Sequence, residues 1–449
     1  MERTSFDTLR ISRKLLTITI LSSMGVFMDG YALSIFSSAL IFLKNSYLSA
    51  TILEALAAAS IYIGMFCGSL IMGRLSDSFG RRNIYVYDLA LSSVFFVLTG
   101  LSFNFVSFFI FQLLAGIGIG ADYPISSSIQ AEFSPKKTRG KFLVFNIFSW
   151  TFGSVAFYLV SVPVVLYGGA DAWRIMYITS GIVPLLVIIA RRGVSESPYW
   201  LMSKGRTAEA DVVANSMKGK SNIIVEPPKV SSEKTSFKEL RKYFALIFFT
   251  STAWFCYDVA SYGVWNYTPS IFIQSNSSYV GTILSTLVEE IPVVAGTVLC
   301  LLLIDRLGRK KLEAAGFGLA GVSLLIFAFL SFHSVLPFIM IFSAFALMHF
   351  FHNTGPTNIT YLYPVEIFPT PIRATAMGIS TASSRVGAIL GVFAFPLLVS
   401  GLNLTYGLLF FALFEFIGFV VTMTLAVETK GLSLDQPPAK RKRKHLTSN

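Results

Sequence analysis

The sequence is organised by long apolar runs, each long enough to cross the hydrocarbon core of a bilayer. One spanning helix needs about 20 apolar residues, and twelve such runs follow one another along the 449 residues. Inside a bilayer, a single run satisfies its backbone hydrogen bonds only as a helix, so we predict an all-α membrane protein with two six-helix bundles. The predicted spans are 16–42, 53–75, 84–103, 105–131, 141–166, 173–191, 243–270, 280–304, 312–331, 335–363, 371–398 and 403–427.

Charge and cysteine content exclude other classes of protein. Only 13% of the residues are charged, whereas a soluble domain has about 25%. The net charge of +12 does not indicate nucleic-acid binding, because the basic residues lie in short loops and tails between the spans. Cys67, Cys256 and Cys300 lie inside apolar runs and lack the spacing of metal ligands or disulfides. We therefore expect no metal, no cofactor and no enzymatic active site.

Basic residues mark one side of the membrane. With twelve spans, both termini lie on the same side, and every basic cluster falls on that side, while the opposite loops carry little beyond Lys44. Because positively charged loops stay in the cytoplasm, we predict a multi-pass protein of the cell membrane with both termini cytoplasmic. The clusters are Arg10, Arg13 and Lys14; Arg81 and Arg82; Lys136, Lys137, Arg139 and Lys141; Arg191 and Arg192; Arg306, Arg309, Lys310 and Lys311; and Lys440 to Lys444.

The spans divide into two bundles within one chain, so we expect a monomer. We predict an N-terminal bundle at 1–192, a cytoplasmic linker loop at 193–242, a C-terminal bundle at 243–430 and a basic cytoplasmic tail at 431–449. The tail either anchors the topology or binds anionic lipid.

Three sequence features recur at a shared offset close to half the chain length, which indicates a duplicated unit. The matched pairs are Asp77 with Asp305, Glu132 with Glu366, and Asp29 with Asp258. Because each unit has an even number of spans, both halves keep one orientation. We therefore expect them to be related by an axis along the membrane normal.

Charges beside the short cytoplasmic turns predict a gate. An acid at such a turn caps a helix or pairs with a cation from a neighbouring helix. Ion pairs on this face would hold it shut and break when the halves rock; the alternative is plain loop charge that sets the topology. The candidate gate residues are Asp77, Arg81, Arg82, Glu132, Arg139, Asp305, Arg309, Glu366 and Arg373.

These motifs resemble those of the major facilitator superfamily over essentially the whole chain. The segment Gly73 to Arg82 is similar to the superfamily's motif between the second and third spans. The segments Ser195 to Leu201 and Glu428 to Gly431 resemble signatures of its sugar-porter-like branch. The resemblance implies alternating access, with a small solute bound between the halves at mid-membrane.

Charged side chains inside the spans mark candidate sites, because a charge in hydrocarbon is costly. Trp254, Asp258 and Tyr262 are spaced by four residues and therefore stack on one helical face. They predict a polar pocket, although the aromatic pair alone fits core packing or an interfacial belt equally well. Arg385 in the eleventh span needs a cavity and a counter-charge, unless it lies near the helix end and snorkels.

The same segments resemble the phosphate:proton symporters more than the sugar porters. The similar segments are Ala121 to Ser126, Lys136 to Gly140, Gly355 with Pro356, Tyr363 to Glu366, and Gly378 to Ala388. The resemblance implies that Asp29 and Asp122 are tied to proton movement. The positions that it implies for the solute site are Tyr123, Trp254, Asp258, Tyr262 and Arg385.

Two departures from that family leave the solute open. Trp150 stands where the family has a glutamine, and Thr357, with Asn358 beside it, stands where the family has an asparagine. Trp150 replaces an amide with a large ring that has a donor and no acceptor. Phosphate, a larger organic, phosphorylated or aromatic anion, and a neutral sugar all remain candidates.

Four further polar residues lie in the eighth and tenth spans. Of Glu289 and Glu290, one is a second proton site, or the pair sits near the outer end of its helix. His349 and His352 are expected to be helix-polar or loop residues rather than a proton relay.

We therefore expect a secondary active transporter of a small polar or anionic solute, coupled to protons by symport, with phosphate or an organic anion favoured. Protonation of Asp29 or Asp122 would neutralise a buried charge and ease the switch between inward and outward states. Arg385 would supply the counter-charge that an anion beside Asp258 requires. The alternatives are a sugar porter and an uncoupled facilitator.

Overall fold

Long helices joined by short turns form almost all of the chain. The computed structural model describes residues 2–5, 12–44, 48, 50–134, 139–191, 193–217, 223–226, 241–273, 278–333, 337–368 and 370–430. The elements are β1 (Glu2–Ser5), α1 (Arg13–Leu43), α2 (Thr51–Phe79), α3 (Arg81–Gly100), α4 (Phe105–Phe133), α5 (Arg139–Gly168), α6 (Ala172–Arg191), α7 (Pro198–Ser203), α8 (Thr207–Ser216), β2 (Ile223–Glu226), α9 (Phe244–Trp265), α10 (Thr268–Phe272), α11 (Tyr279–Leu307), α12 (Arg309–His333), α13 (Phe338–Thr354), α14 (Pro356–Ile367), α15 (Thr370–Gly401) and α16 (Leu404–Leu425).

The described helices account for twelve spans, six in each half. The first six are α1 to α6; the others are α9 with α10, α11, α12, α13 with α14, α15 and α16. By length and hydropathy, eleven described segments are apolar enough to cross a membrane, and one of them, Lys141–Arg191, contains both α5 and α6. The predicted membrane fold of twelve helices is confirmed.

The seventh and tenth spans are each broken into two helices, although the sequence predicted continuous runs. Pro269 is the second residue of α10, and Pro356 is the first residue of α14. Proline lacks an N–H, so it suits the first turn of a helix but disrupts its interior. Trp265, just before the first break, and Thr357, just after the second, both line the cavity described below.

Part of the predicted linker has regular structure. It contains α7, α8 and β2, and β2 pairs with β1 in a two-stranded parallel sheet in which Glu2 lies opposite Ile223. The sequence did not predict this sheet, because four-residue segments carry too weak a pattern. The predicted tail, 431–449, lies outside the described residues.

Close helix packing brings the two halves around a common space. Between the halves, α2 packs against α15 and α5 against α11. Within the first half, a Cβ at Gly30 of α1 would overlap the carbonyl oxygen of Trp150 on α5; within the second, one at Gly391 of α15 would overlap that of Val259 on α9. Glycine at these positions therefore permits close backbone contacts of α1 with the cavity helix α5, and of the cavity helices α9 and α15 with each other.

Candidate transport site

A cavity of about 60 Å³ lies between the two halves. Its walls come from α4 and α5 of the first half and from α9, α11, α13, α14 and α15 of the second. All eight residues that the sequence predicted for solute binding line this cavity, and their role in binding stays a prediction. They are Tyr123, Trp150, Trp254, Asp258, Tyr262, Thr357, Asn358 and Arg385.

The charged centre of the cavity is an ion pair between α9 and α15. Nη1 of Arg385 lies 3.4 Å from Oδ2 of Asp258 and 3.4 Å from the hydroxyl of Tyr262. The guanidinium also lies 4.7 Å from the centre of the Tyr123 ring. Both charged side chains are 1% exposed, so Arg385 does not snorkel. Among the described residues, Nε of Arg385 and Oδ1 of Asp258 have no hydrogen-bond partner, which leaves one donor and one acceptor for a solute.

Aromatic rings form much of the remaining wall. The rings of Trp150 on α5 and Trp265 on α9 meet across the halves, with centroids 5.1 Å apart. Trp254 packs edge-on against Tyr361 of α14 at 6.2 Å. Nε1 of Trp150 has no hydrogen-bond partner in the part of the chain that the structure describes. The sequence missed Trp265 and Tyr361, because an aromatic residue within a span fits core packing equally well.

The polar residues of α14 already donate within the protein. The hydroxyl of Thr357 donates to that of Tyr257 at 3.0 Å, and the Asn358 amide donates to the carbonyl oxygen of Asn353 at 2.6 Å. Each therefore has acceptor capacity left for a solute.

A second charged centre lies inside the first half. Nη2 of Arg191, the last residue of α6, lies 2.7 Å from Oδ1 of Asp122 on α4. Its Nη1 lies 3.2 Å from Oδ1 of Asp88 on α3, and the guanidinium stacks on the ring of Tyr85 at 3.4 Å. The assignment of Arg191 to the loop charges is therefore wrong, because its side chain is 0% exposed. Asp88 was not singled out from the sequence.

Asp29 of α1 faces this second centre. It is 1% exposed, and its Oδ2 lacks a hydrogen-bond partner among the described residues. Asp88 and Asp122 act on it electrostatically, as do Arg191 and, from the other half, Arg385. Neither Asp29 nor Asp122 lines the cavity. One arginine inside this half thus faces three carboxylates, an excess of negative charge that protons would relieve.

Two of the predicted gate residues of the first half, Arg81 and Glu132, form an ion pair beside the turn at Gly80. Nη2 of Arg81 lies 3.0 Å from Oε1 of Glu132, which also accepts a hydrogen bond from Ser197 through its other oxygen. The Glu196 carboxylate accepts the backbone N–H of Arg81 at 3.2 Å. Gly80 has φ +98°, and a Cβ there would overlap the Glu196 carboxylate. Glycine is therefore required by both backbone and space.

The second half repeats this arrangement at Gly308. Nη2 of Arg309 lies 2.9 Å from Oε1 of Glu366, and Thr429 donates to the other oxygen at 2.5 Å. Glu428 accepts the backbone N–H of Arg309 at 3.0 Å. Gly308 has φ +88°, and a Cβ there would overlap the Glu428 carboxylate. The duplicated sequence features thus form duplicated contacts.

Each ion pair described at these turns joins elements of the same half. Asp305, 56% exposed, lies 3.4 Å from Nη1 of Arg309. The backbone N–H of Arg82 donates to Glu196 at 3.3 Å. The side chains of Asp77, Arg139 and Arg373 lie outside the described part of the chain. A gate that opens between the halves stays a prediction.

Comparison with known proteins assigns the family. The family model described as Sugar (and other) transporter matches residues 17–439. The chain belongs to this family. The proton:xylose symporter XylE of the major facilitator superfamily has the same fold, with a TM-score of 0.79 at 22% identity over 95% of this chain and 98% of that one.

Relatives similar in sequence differ in what their names say they transport. A putative metabolite transport protein, YaaU of Escherichia coli, is 29% identical over 96% of each chain. A probable inorganic phosphate transporter of Arabidopsis thaliana is 28% identical over 94% of this chain and 92% of its own length. The arabinose-proton symporter of Bacillus subtilis is 29% identical over 93% of each. The chain is thus a membrane transporter of the sugar (and other) transporter family, with a fold seen in the major facilitator superfamily, and not an enzyme.

The sugar-porter-like signatures contain four residues of these turns that were not among the predicted gate residues. Glu196 and Ser197 belong to one signature, and Glu428 and Thr429 to the other. Glu196 and Glu428 each accept a backbone N–H of the turn in their half. The hydroxyls of Ser197 and Thr429 each donate to the glutamate that is ion-paired with an arginine in the same half. Glu196 and Glu428 are separated by nearly the same number of residues as the other repeated pairs. This separation was the signal in the sequence that could have identified them.

Proposed function

We propose that the protein is a proton-coupled symporter of a small anionic solute, phosphate or an organic anion, that works by alternating access. The observation that carries this proposal is the buried Arg385–Asp258 pair in a cavity walled by both halves. An anion that reaches Arg385 also meets Asp258, and two negative groups lie together in a dry site only with an added proton or cation. Anion and proton would therefore bind together.

The first half supports proton coupling independently. Asp29, Asp88 and Asp122 share Arg191 inside the bundle, and Asp29 has a carboxylate oxygen without a partner among the described residues. A proton on Asp29 would lower the net negative charge that the bundle carries while the halves rock. Arg385, which acts on Asp29 electrostatically, would link this site to the solute.

The family and relatives supply the candidate solutes. The phosphate transporter from Arabidopsis supports an anion, and the arabinose-proton symporter supports both proton coupling and a sugar. A sugar porter is the second candidate, favoured by the indole rings of Trp150 and Trp265 in the wall, which offer flat apolar faces to a sugar ring. We further propose a cell-membrane location with both termini cytoplasmic, and a monomer as the working unit.

Uptake into proteoliposomes under an imposed pH gradient tests the proposal. Phosphate, benzoate and arabinose serve as probes; a protonophore that collapses the gradient and protein-free liposomes, into which benzoic acid diffuses unaided, serve as the controls. We expect accumulation of phosphate or benzoate above its external concentration only while the gradient persists. Accumulation of arabinose alone would favour the sugar porter, and counterflow that ignores the gradient would favour an uncoupled facilitator.

Two variants test the proton assignment. Asp29→Asn keeps the size of the side chain and removes its titration, so we expect gradient-driven accumulation to be lost while counterflow persists. Asp122→Asn removes the partner of Arg191, so we expect a loss of both coupling and stability. Unchanged coupling in both variants would contradict the assignment.

A further inference from the structure

The second half contains a set of ionisable side chains that the proposed function does not use. Glu289 and Glu290 lie on α11, His349 and His352 on α13, and Glu415 on α16; the most exposed of them is 5% exposed. We call these five residues the histidine–glutamate cluster. The histidines lie within α13 and not in a loop, and the glutamates lie well inside α11 and not at its end.

Two contacts pair a histidine with a carboxylate. Nε2 of His352 lies 2.6 Å from Oε1 of Glu415, and Nδ1 of His349 lies 3.4 Å from Oε1 of Glu289. No lysine or arginine in the described ranges forms an ion pair with the three glutamates of the cluster. A buried carboxylate is costly unless a cation or a proton neutralises it. The charge of this cluster is therefore set by bound protons.

The cluster opens onto the central cavity. Glu290, His349 and His352 all line it. Oε2 of Glu290, Nε2 of His349 and Nδ1 of His352 have no hydrogen-bond partner within the described part of the chain. Water that enters when either side opens would meet these atoms, so they are placed to exchange protons with the solvent.

One hydrogen bond ties the cluster to the other half. The hydroxyl of Ser154 on α5 donates to Oε1 of Glu290 at 2.5 Å, and Ser34 on α1 donates to Ser154 at 2.9 Å. Because α5 and α11 pack across the interface between the halves, rocking of the halves would break this bond. A buried carboxylate that loses its hydrogen-bond donor is left unsatisfied, and a bound proton then stabilises it more than before.

None of the groups described around the cluster supplies it with a positive charge, so a proton is the counter-charge available to it. Arg385 lines the same cavity but is already paired with Asp258. The other titratable groups described next to the cluster are Tyr158 of α5 and Cys256 and Tyr257 of α9. The short helix α10 contributes no ionisable side chain.

We propose that the histidine–glutamate cluster is a second proton-binding site of the transport cycle and that Glu290 links its protonation to the contact between the halves. A proton from water in the opened cavity binds Oε2 of Glu290 or a free imidazole nitrogen. It returns to water on the other side after the halves rock. This proposal rests on proton-coupled symport and adds a site in the second half to that of the first.

Infrared spectroscopy of the purified full-length protein, with no solute present, tests the site. Between about pH 8 and about pH 5, we expect the wild type to gain absorption from the carbonyl stretch of protonated carboxyls. Glu290→Gln and Glu415→Gln should each remove part of this absorption. Glu366→Gln is the matched control, because that carboxylate lies outside the cluster, where it is paired with Arg309 at 2.9 Å, and its replacement should leave the absorption of the cluster unchanged. Absorption that is unchanged in both cluster variants would overturn the proposal.

Ser154→Ala tests the link between the halves without removing a carboxylate. Loss of its hydrogen bond should shift the carbonyl band that Glu290→Gln removes, and an unshifted band would overturn the link.

Because no solute is needed, the spectra are independent of the uptake assay. Gradient-driven uptake without titration of the cluster overturns only the second site. Titration of the cluster without gradient-driven uptake overturns the symport and leaves the proton site standing.

Discussion

Arg191 and Asp122 form the closest described contact between a buried arginine and a buried acid in the first half, with Nη2 and Oδ1 2.7 Å apart. The arginine ends α6 and the aspartate lies within α4, so the pair closes the bundle across helices that are not neighbours in sequence. Gly25 of α1 makes room for it, because a Cβ there would overlap both charged groups. Asp122 is thus fixed by its contact with Arg191, whereas Asp29 has a carboxylate oxygen without a hydrogen-bond partner among the described residues.

Replacement of Arg191 with glutamine should destabilise the protein strongly. Asp88 and Asp122 would be left buried without a cation, which typically costs about 3–5 kcal/mol. The free energy of unfolding in detergent is the measurement. Arg206→Gln is the matched control, because its ion pair with Glu209 is exposed on both sides and its loss should cost much less. Equal losses in the two variants would contradict the structural role of Arg191.

The architecture was predictable because each span is encoded locally, by some twenty consecutive apolar residues. The solute site was predictable for a related reason: a charge such as Asp258 or Arg385 stands out against an apolar run. Arg191 was misplaced because a basic residue at the end of a span satisfies the topology rule equally well, and its partners are 69 and 103 residues away. The pairing of His352 with Glu415 was missed for the same reason, since the two residues are 63 positions apart in the sequence.

Gly80→Ala and Gly308→Ala should cost more than backbone strain alone. Both glycines have positive φ, where an L-residue costs about 1–3 kcal/mol, and at both a Cβ would also displace a glutamate that holds the turn. Gly205→Ala isolates the strain, because Gly205 has φ +74° with nothing within 4 Å of the added Cβ. Thermal unfolding of the three variants gives the comparison. A Gly205→Ala loss as large as the other two would show that the Glu196 and Glu428 contacts add nothing.

Trp150→Phe should weaken binding of an anionic probe. Trp150 lines the cavity, and its indole Nε1 has no partner among the described residues, so we expect this N–H to donate to the solute. Loss of a hydrogen bond to a charged group costs about 1.5–3 kcal/mol, roughly 10- to 100-fold in Kd. Ligand-induced thermal stabilisation by phosphate and benzoate measures the change. Trp173→Phe, which removes an indole N–H from a buried site outside the cavity, should leave Kd unchanged.

A double-mutant cycle on Asp258 and Arg385 should show that the pair acts as a unit. Asp258→Asn leaves the guanidinium buried without its acid, and Arg385→Gln leaves the carboxylate buried without its cation. Each single variant should lose about 3–5 kcal/mol of stability. The double variant buries no net charge, so its loss should be smaller than the sum of the singles by at least about 1 kcal/mol. The same double variant should bind no phosphate, because the site then lacks its positive charge. Additive losses in unfolding free energy would show that the 3.4 Å contact between Nη1 and Oδ2 contributes little, and that solvent or another group neutralises each charge separately.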